Sequence, residues 1–223
     1  MKAYIHYIRN HTPSVLQAEQ CLKSFEWHSG WEPELIAGYT PRTLPEHPPI
    51  KEGSRLNNFA KENQNRYKTK LSCAMNHVRF WERVVELDEP CAFIEHDALC
   101  VGGWKNHDFD EYLILNADHV FQPPNKLAIN QYRGYKWTKT KAPAGLPEDY
   151  PLVYYRENNW KGSKMAPGTG AYAITPKGAK KMLEVVKIGI DQSDFMLNTH
   201  NINMEYITLF KFNSKNLSTS YGI

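Results

Sequence analysis

The run Cys91-Ala92-Phe93-Ile94, followed at once by Glu95-His96-Asp97, constrains this chain more than any other stretch. A continuous apolar segment rich in β-formers, entered through Glu89-Pro90, describes a central strand covered on both faces. In open α/β sheets ligands bind outside the carboxyl ends of the strands, and here that end carries two carboxylates one residue apart. Side chains at alternate positions of an extended chain point the same way, so Glu95 and Asp97 converge on one hard cation, magnesium or manganese. Such an ion keeps open positions for a diphosphate and offsets its charge as it departs. The plainer alternative is a polar strand end with Asp97 starting a turn. His96 points to the opposite side of an extended chain and is expected beside the site rather than on the cation.

Around this strand the chain reads as an α/β nucleotide-binding sheet. Ala3 to Ile8 is a predicted strand, Thr12-Pro13 an N-cap with proline at the first helical position, and Val15, Ala18, Leu22 and Phe25 follow at helical spacing. Glu34 to Gly38 is a short second strand, which completes a βαβ opening. Residues 40–68 hold no period and read as a long loop with one short helix around Leu56 to Asn63, either a mobile lid or a surface excursion. Leu71, Ala74, Met75, Val78, Trp81 and Val85 mark an amphipathic helix. Gly170 to Ile174 is a further strand, Thr175-Pro176 caps a helix carrying Ala179, Met182, Leu183 and Val186, and Glu205 to Phe212 is a last strand.

With 223 residues, 41% hydrophobic and 23% charged, the chain is ordinary for a globular protein. It is expected to form one domain over 1–223, in two halves, 1–118 and 119–223. The polar opening MKAYIHYIRN and the lack of an apolar run near 20 residues predict neither signal peptide nor transmembrane segment. Cys21, Cys73, Cys91 and Cys100 form no CxxC pair and sit in segments that read as core, so free thiols and a cytoplasmic, reducing setting are expected. A net charge of +3 gives no ground for a nucleic-acid partner, but the charge is unevenly spread. Nine carboxylates face one lysine between Glu86 and Asp118, and eight Lys or Arg face three acids between Lys126 and Lys164. An acidic segment followed by a basic one interleaved with aromatics suits a cation and an anionic ligand at one site; solvated surface charge is the simpler reading.

The stretch from Lys70 to Cys100 resembles glycosyltransferase family 25, through Cys73, His77, Trp81, Val84, Val85 and Pro90 at matching spacing and Glu95-His96-Asp97 in place of an E-D-D triplet. Gly170 to Thr175 with Gly178-Ala179 is similar to a second block of that family, and Ile190-Asp191 to a third. Asn76 stands where the family usually has serine, and His96 replaces the middle acid. The resemblance implies a GT-A-type fold with a mixed, mostly parallel sheet flanked by helices. It also implies a UDP-sugar donor, most often UDP-galactose, an Mn2+ or Mg2+ cofactor, a glycan or other hydroxyl acceptor, and inversion at the anomeric carbon.

Inverting transfer needs a base for the acceptor hydroxyl. Asp191 is the first candidate and Asp194 the second, although Asp191-Gln192-Ser193-Asp194 also fits a helix cap with an acid at its third position. Arg9, Asn76, His77 and His96 are candidates for the donor nucleotide, with structural or surface roles as their alternatives. The aromatic segment from Tyr132 to Trp160 suits the apolar face of an acceptor sugar. Two rival functions stand beside this one: a metal-dependent phosphohydrolase or nucleotidyltransferase, and a carbohydrate-binding protein on a GT-A frame without turnover. Oligomeric state has no signal in the sequence.

Overall fold

A computed structural model describes residues 1–116 and 169–212, together with the backbone of three short strands between them. The elements run β1 (Lys2–Tyr7), α1 (Thr12–Ser24), β2 (Glu32–Ala37), α2 (Arg55–Glu62), α3 (Gln64–Leu87), β3 (Cys91–Glu95), β4 (Ala98–Cys100) and β5 (Tyr112–Ile114). The intervening strands β6 (Tyr135–Lys139), β7 (Pro151–Tyr155) and β8 (Lys164–Met165) pair with one another in antiparallel fashion. Then come β9 (Ala171–Ile174), α4 (Pro176–Ile188), the single turn α5 (Ser193–Met196), β10 (Met204–Tyr206) and β11 (Phe210–Phe212).

Six strands form the main sheet in the order β10-β5-β9-β3-β1-β2. β1 runs parallel to β2 and β3, β10 runs parallel to β5, and β9 is antiparallel to both β3 and β5. This is the mixed, mostly parallel sheet expected. Its one reversed strand brings the start of β9 to the carboxyl end of β3, where Glu95 N–H donates to Gly170 O at 2.7 Å.

Period-two alternation sorts the central strands onto two buried faces. Tyr4, Phe93, Tyr172 and Ile174 meet α3 and α4, while Ala3, Ile5, Ala92, Ile94, Ala171 and Ala173 meet the α1 side. The first face is aromatic: Phe93 stacks on Tyr172 with centroids 5.4 Å apart, and Tyr112 follows at 4.8 Å. Such pairs add roughly 0.5–1.5 kcal/mol beyond their buried area. The small residues of the second face let α1 approach closely.

Local chemistry sets the helix ends. Thr175 caps α4 by accepting from Gly178 N–H, with Pro176 in the first turn, as its sequence predicts. α1 differs: Thr12 is already helical, and His11 is the cap, its Nδ1 accepting from Ser14 N–H at 3.3 Å. Asn63 ends α2 and begins α3, capping Arg66 N–H, so the amphipathic helix starts earlier than its apolar stripe.

The excursion between β2 and α2 is tied down midway. Lys51 N–H donates to Ile190 O at 3.0 Å and Ile190 N–H to Pro49 O at 2.8 Å. The predicted last strand divides in two. β10 pairs with β5, the chain crosses through Ile207 and Leu209, whose N–H groups bond Ile114 O and Leu115 O, and β11 then pairs with β4. Both carbonyls lie at the end of β5, so the crossing keeps its backbone donors satisfied. All four cysteines are free thiols, but Cys73 is exposed where its helix segment reads as core.

Candidate active site

Two clefts open at the carboxyl end of β3 and share one wall. The first, about 120 Å³, is lined by His6, Tyr7, Gly38, Tyr39, Asn76 and the triplet. The second, about 200 Å³, is lined by Lys70, Thr169, Gln192, Ser193 and Asp194. Cys73, His77 and Glu95 line both.

The triplet adopts its geometry through a turn. Glu95 is the last residue of β3, and His96 and Asp97 form the turn into β4. Alternation therefore does not set their directions, and His96 lines the same cleft as Glu95 and Asp97 instead of facing away. Burial first, then the charges of Asp97 and Asp194, push the Glu95 carboxyl up to about 8, with Lys70 opposing them. Burial also lowers the His96 imidazole, against the pull of Asp97.

Gly170 stands directly behind Glu95. A Cβ at this position would lie 3.3 Å from Glu95 Oε2 and 2.3 Å from the Phe212 ring, so only glycine lets the two pack this closely.

His77 is buried and neutral. It stacks on Phe93 at 4.0 Å, as His6 does at 4.1 Å, and burial pushes its imidazole down to about 3. Its Nδ1 lies 2.9 Å from Tyr172 Oη and its Nε2 3.4 Å from Thr169 Oγ1. Asn76 holds the rim of the first cleft: its Oδ1 accepts from Tyr39 N–H at 2.7 Å and its Nδ2 donates to Tyr39 O at 3.3 Å. Arg79 supports the same rim, donating to Ala37 O at 2.8 Å with its guanidinium 4.4 Å from the Tyr39 ring. Arg9 is exposed in the turn after β1 and lines neither cleft.

The two candidate bases separate. Asp194 lines the second cleft with Glu95, accepting from Thr169 Oγ1 at 3.0 Å, and burial raises its carboxyl. Asp191 is fully buried and lines neither cleft. Its Oδ1 accepts from Gln192 N–H at 2.8 Å and from Leu56 N–H at 3.3 Å, so it caps α2 from across the chain rather than the turn at Ser193. Burial pushes its carboxyl up to about 6. Local patterning missed Thr169 and Lys70 as site residues, since neither carries a motif of its own; Gly170, which opens the predicted strand beside Thr169, was the nearest signal.

The charges of Asp97 and Asp194 both bear on Glu95 at the strand end, with Lys70 as an opposing charge. A divalent cation would relieve that surplus, so Glu95 and Asp97 fit the role of its ligands. Among the described residues no group of three or more His, Cys, Asp or Glu forms a metal cage. Among the same residues no helix is long and apolar enough to cross a membrane. The aromatic segment from Tyr132 to Trp160 has no described side chains.

No curated protein matches the chain by sequence. Among solved structures, an active-site mutant of LgtC aligns with TM-score 0.46 and 13% identity over 92% of this chain and 72% of that one. The galactosyltransferase LgtC in complex with donor and acceptor sugar analogues aligns with TM-score 0.45 and 12% identity, covering 92% and 73%. The model of glycosyltransferase family 25 (LPS biosynthesis protein) matches residues 17–197, most of the length and all of the clefts' helix α3. By that match the chain belongs to glycosyltransferase family 25.

Proposed function

We propose that this glycosyltransferase moves a hexose, galactose first among the choices, from a UDP-sugar to a hydroxyl of a glycan, inverting the anomeric centre. The observation that carries the reading is Glu95 in the wall between two clefts, with Asp97 on one side and Asp194 on the other. The first cleft takes the nucleotide, because it lies at the carboxyl ends of β1 and β3 where α/β sheets receive nucleotides. The second takes the acceptor. Glu95 and Asp97 would hold a manganese or magnesium ion, which supplies Lewis-acid stabilisation of the departing diphosphate.

The chain's own groups do the rest. Asp194 accepts the proton of the acceptor hydroxyl as the oxygen attacks, and its raised affinity for protons suits that task. Lys70 faces the anionic groups from α3 and limits their mutual repulsion. Asn76 and Arg79 fix the Tyr39 backbone and ring at the rim, so the donor meets a preformed edge.

Incubating the enzyme with a panel of UDP-sugars, manganese and a mixture of glycan acceptors tests this. A new glycosidic bond of opposite anomeric configuration, read by proton NMR, is the expected product. Retained configuration would overturn the inverting role of Asp194, and no turnover with any donor would overturn the transfer itself. His96 in place of the middle acid of the triplet favours a second reading, a sugar-binding protein without turnover. Nucleotide-sugar binding in that same no-turnover case would identify it.

A further inference from the structure

Behind Asp194, buried polar side chains form a chain whose hydrogen-bond direction is fixed at both ends. Trp81 Nε1 donates to Tyr172 Oη at 3.0 Å, and Tyr172 Oη lies 2.9 Å from His77 Nδ1. His77 Nε2 lies 3.4 Å from Thr169 Oγ1, which reaches Asp194 Oδ1 at 3.0 Å. Ser193 Oγ sits 3.3 Å from the same threonine oxygen. Trp81, Tyr172, His77 and Thr169 are each at most 5% exposed.

An indole N–H only donates, and an ionised carboxylate only accepts. Tyr172 therefore accepts from Trp81 and sends its single proton to His77 Nδ1. A neutral imidazole that accepts at Nδ1 carries its hydrogen on Nε2, which then faces Thr169. Thr169 has one proton and two acceptor positions: the proton goes to Asp194, and the acceptor positions serve His77 and Ser193. One proton arrangement satisfies every member. The chain also joins the α3 motif, through His77 and Trp81, to the β9 motif, through Tyr172.

We infer that Trp81, Tyr172, His77 and Thr169 are positioning residues, a one-way hydrogen-bond chain that, with the Thr169 backbone N–H as a further donor to the carboxylate, holds Asp194 in the wall of the second cleft, where the acceptor hydroxyl would meet it. This rests on the reading of Asp194 as the base. Because Trp81 Nε1 can only donate and the ionised Asp194 only accept, no link can reverse while every member stays satisfied, so the carboxylate is held in one orientation while the reaction proceeds.

The test pairs kinetics with a spectroscopic readout. In the wild-type enzyme, nitrogen-15 NMR of the histidines should find His77 protonated at Nε2 and unprotonated at Nδ1 between pH 6 and 8, on the order of the range a buried neutral imidazole spans. Thr169→Val should lower kcat about tenfold or more with donor KM nearly unchanged, and Thr169→Ser should restore most of the rate. A His77 protonated at Nδ1 would overturn the chain, as would a Thr169→Val enzyme turning over at the wild-type rate. Should Thr169→Val fail to fold, the wild-type tautomer still decides the matter. If wild-type enzyme transfers no sugar, the proposed function fails, while the tautomer alone upholds or rejects the chain.

Discussion

The carbonyl of Gly170 accepts the backbone N–H of Glu95 at 2.7 Å, so the first residue before one strand fixes the last residue of its antiparallel neighbour. The contact exists because β9 is reversed in the sheet, and it depends on the missing side chain. A methyl group at residue 170 would meet the Phe212 ring and press on the Glu95 carboxylate.

Gly170→Ala should therefore destabilise the fold by about 1–3 kcal/mol, the usual cost of overpacking a filled site. Sugar transfer should fall further than stability, since Glu95 moves with the strand end. Urea denaturation and steady-state kinetics on the same preparation measure the two effects, and an alanine variant with wild-type values in both would refute the steric account.

The separation of the two acids predicts opposite outcomes for similar substitutions. Asp194→Asn should lower kcat by about 10²–10⁴, the range for loss of a general base. Asp191→Asn keeps an acceptor for Leu56 and Gln192 N–H and should leave kcat close to wild type. Asp191→Ala orphans both donors and should cost about 1–3 kcal/mol of stability while acting little on kcat. Kinetics showing the larger loss in Asp191→Asn would exchange the roles.

Burial of neutral His77 makes stability depend on pH in a known direction. Its imidazole is held down to about 3, whereas in the unfolded chain it takes a proton near about 6.5. Below that value the unfolded state binds more protons, so this contribution is lost as pH falls from about 6.5 toward 3, by up to about 1.4 kcal/mol per pH unit. Glu95 and Asp191 act oppositely: their folded carboxyls stay protonated to higher pH, up to about 8 and about 6, so they favour the fold as pH falls. The difference between wild type and His77→Gln isolates the histidine. Denaturation curves from pH 7.5 to 4.5, about the span where the two states differ in protonation, should show a shallower acid loss in the variant.

Cys73 gives a direct report on occupancy. It is the exposed cysteine of the four and lines both clefts. Loss of hydration in the cleft pushes its thiol up to about 11, so iodoacetamide at alkaline pH should modify it before the three buried cysteines, and a UDP-sugar with manganese should slow that modification severalfold. Peptide mass spectrometry locates the adduct; equal rates with and without ligand would place the nucleotide elsewhere.

Much of the frame was legible because it rests on local period and capping. The stripe from Leu71 to Val85, the apolar run Cys91 to Ile94 and the Thr175-Pro176 start each carry their own signal, and each forms the element expected. What escaped was set by partners distant in sequence. Asp191 reads as the cap of the turn beside it, yet it serves Leu56, 135 residues away. The split of the last strand follows from carbonyls at the end of β5, which no local pattern encodes. Thr12 carries the stronger capping signal because histidine seldom caps a helix, although the Nδ1 of His11 supplies the same acceptor. The triplet was located correctly in the chain but treated as extended, whereas the turn at His96 and Asp97 brings all three side chains to one cleft.

The most direct measurement is thermal denaturation with UDP-galactose, with and without manganese, in wild type and in the Glu95→Ala, Asp97→Ala double variant. A ligand that binds only the folded state raises the melting temperature. The account predicts a rise in the wild-type enzyme that requires manganese and disappears in the double variant. Stabilisation by UDP-galactose that persists without the two carboxylates would contradict it.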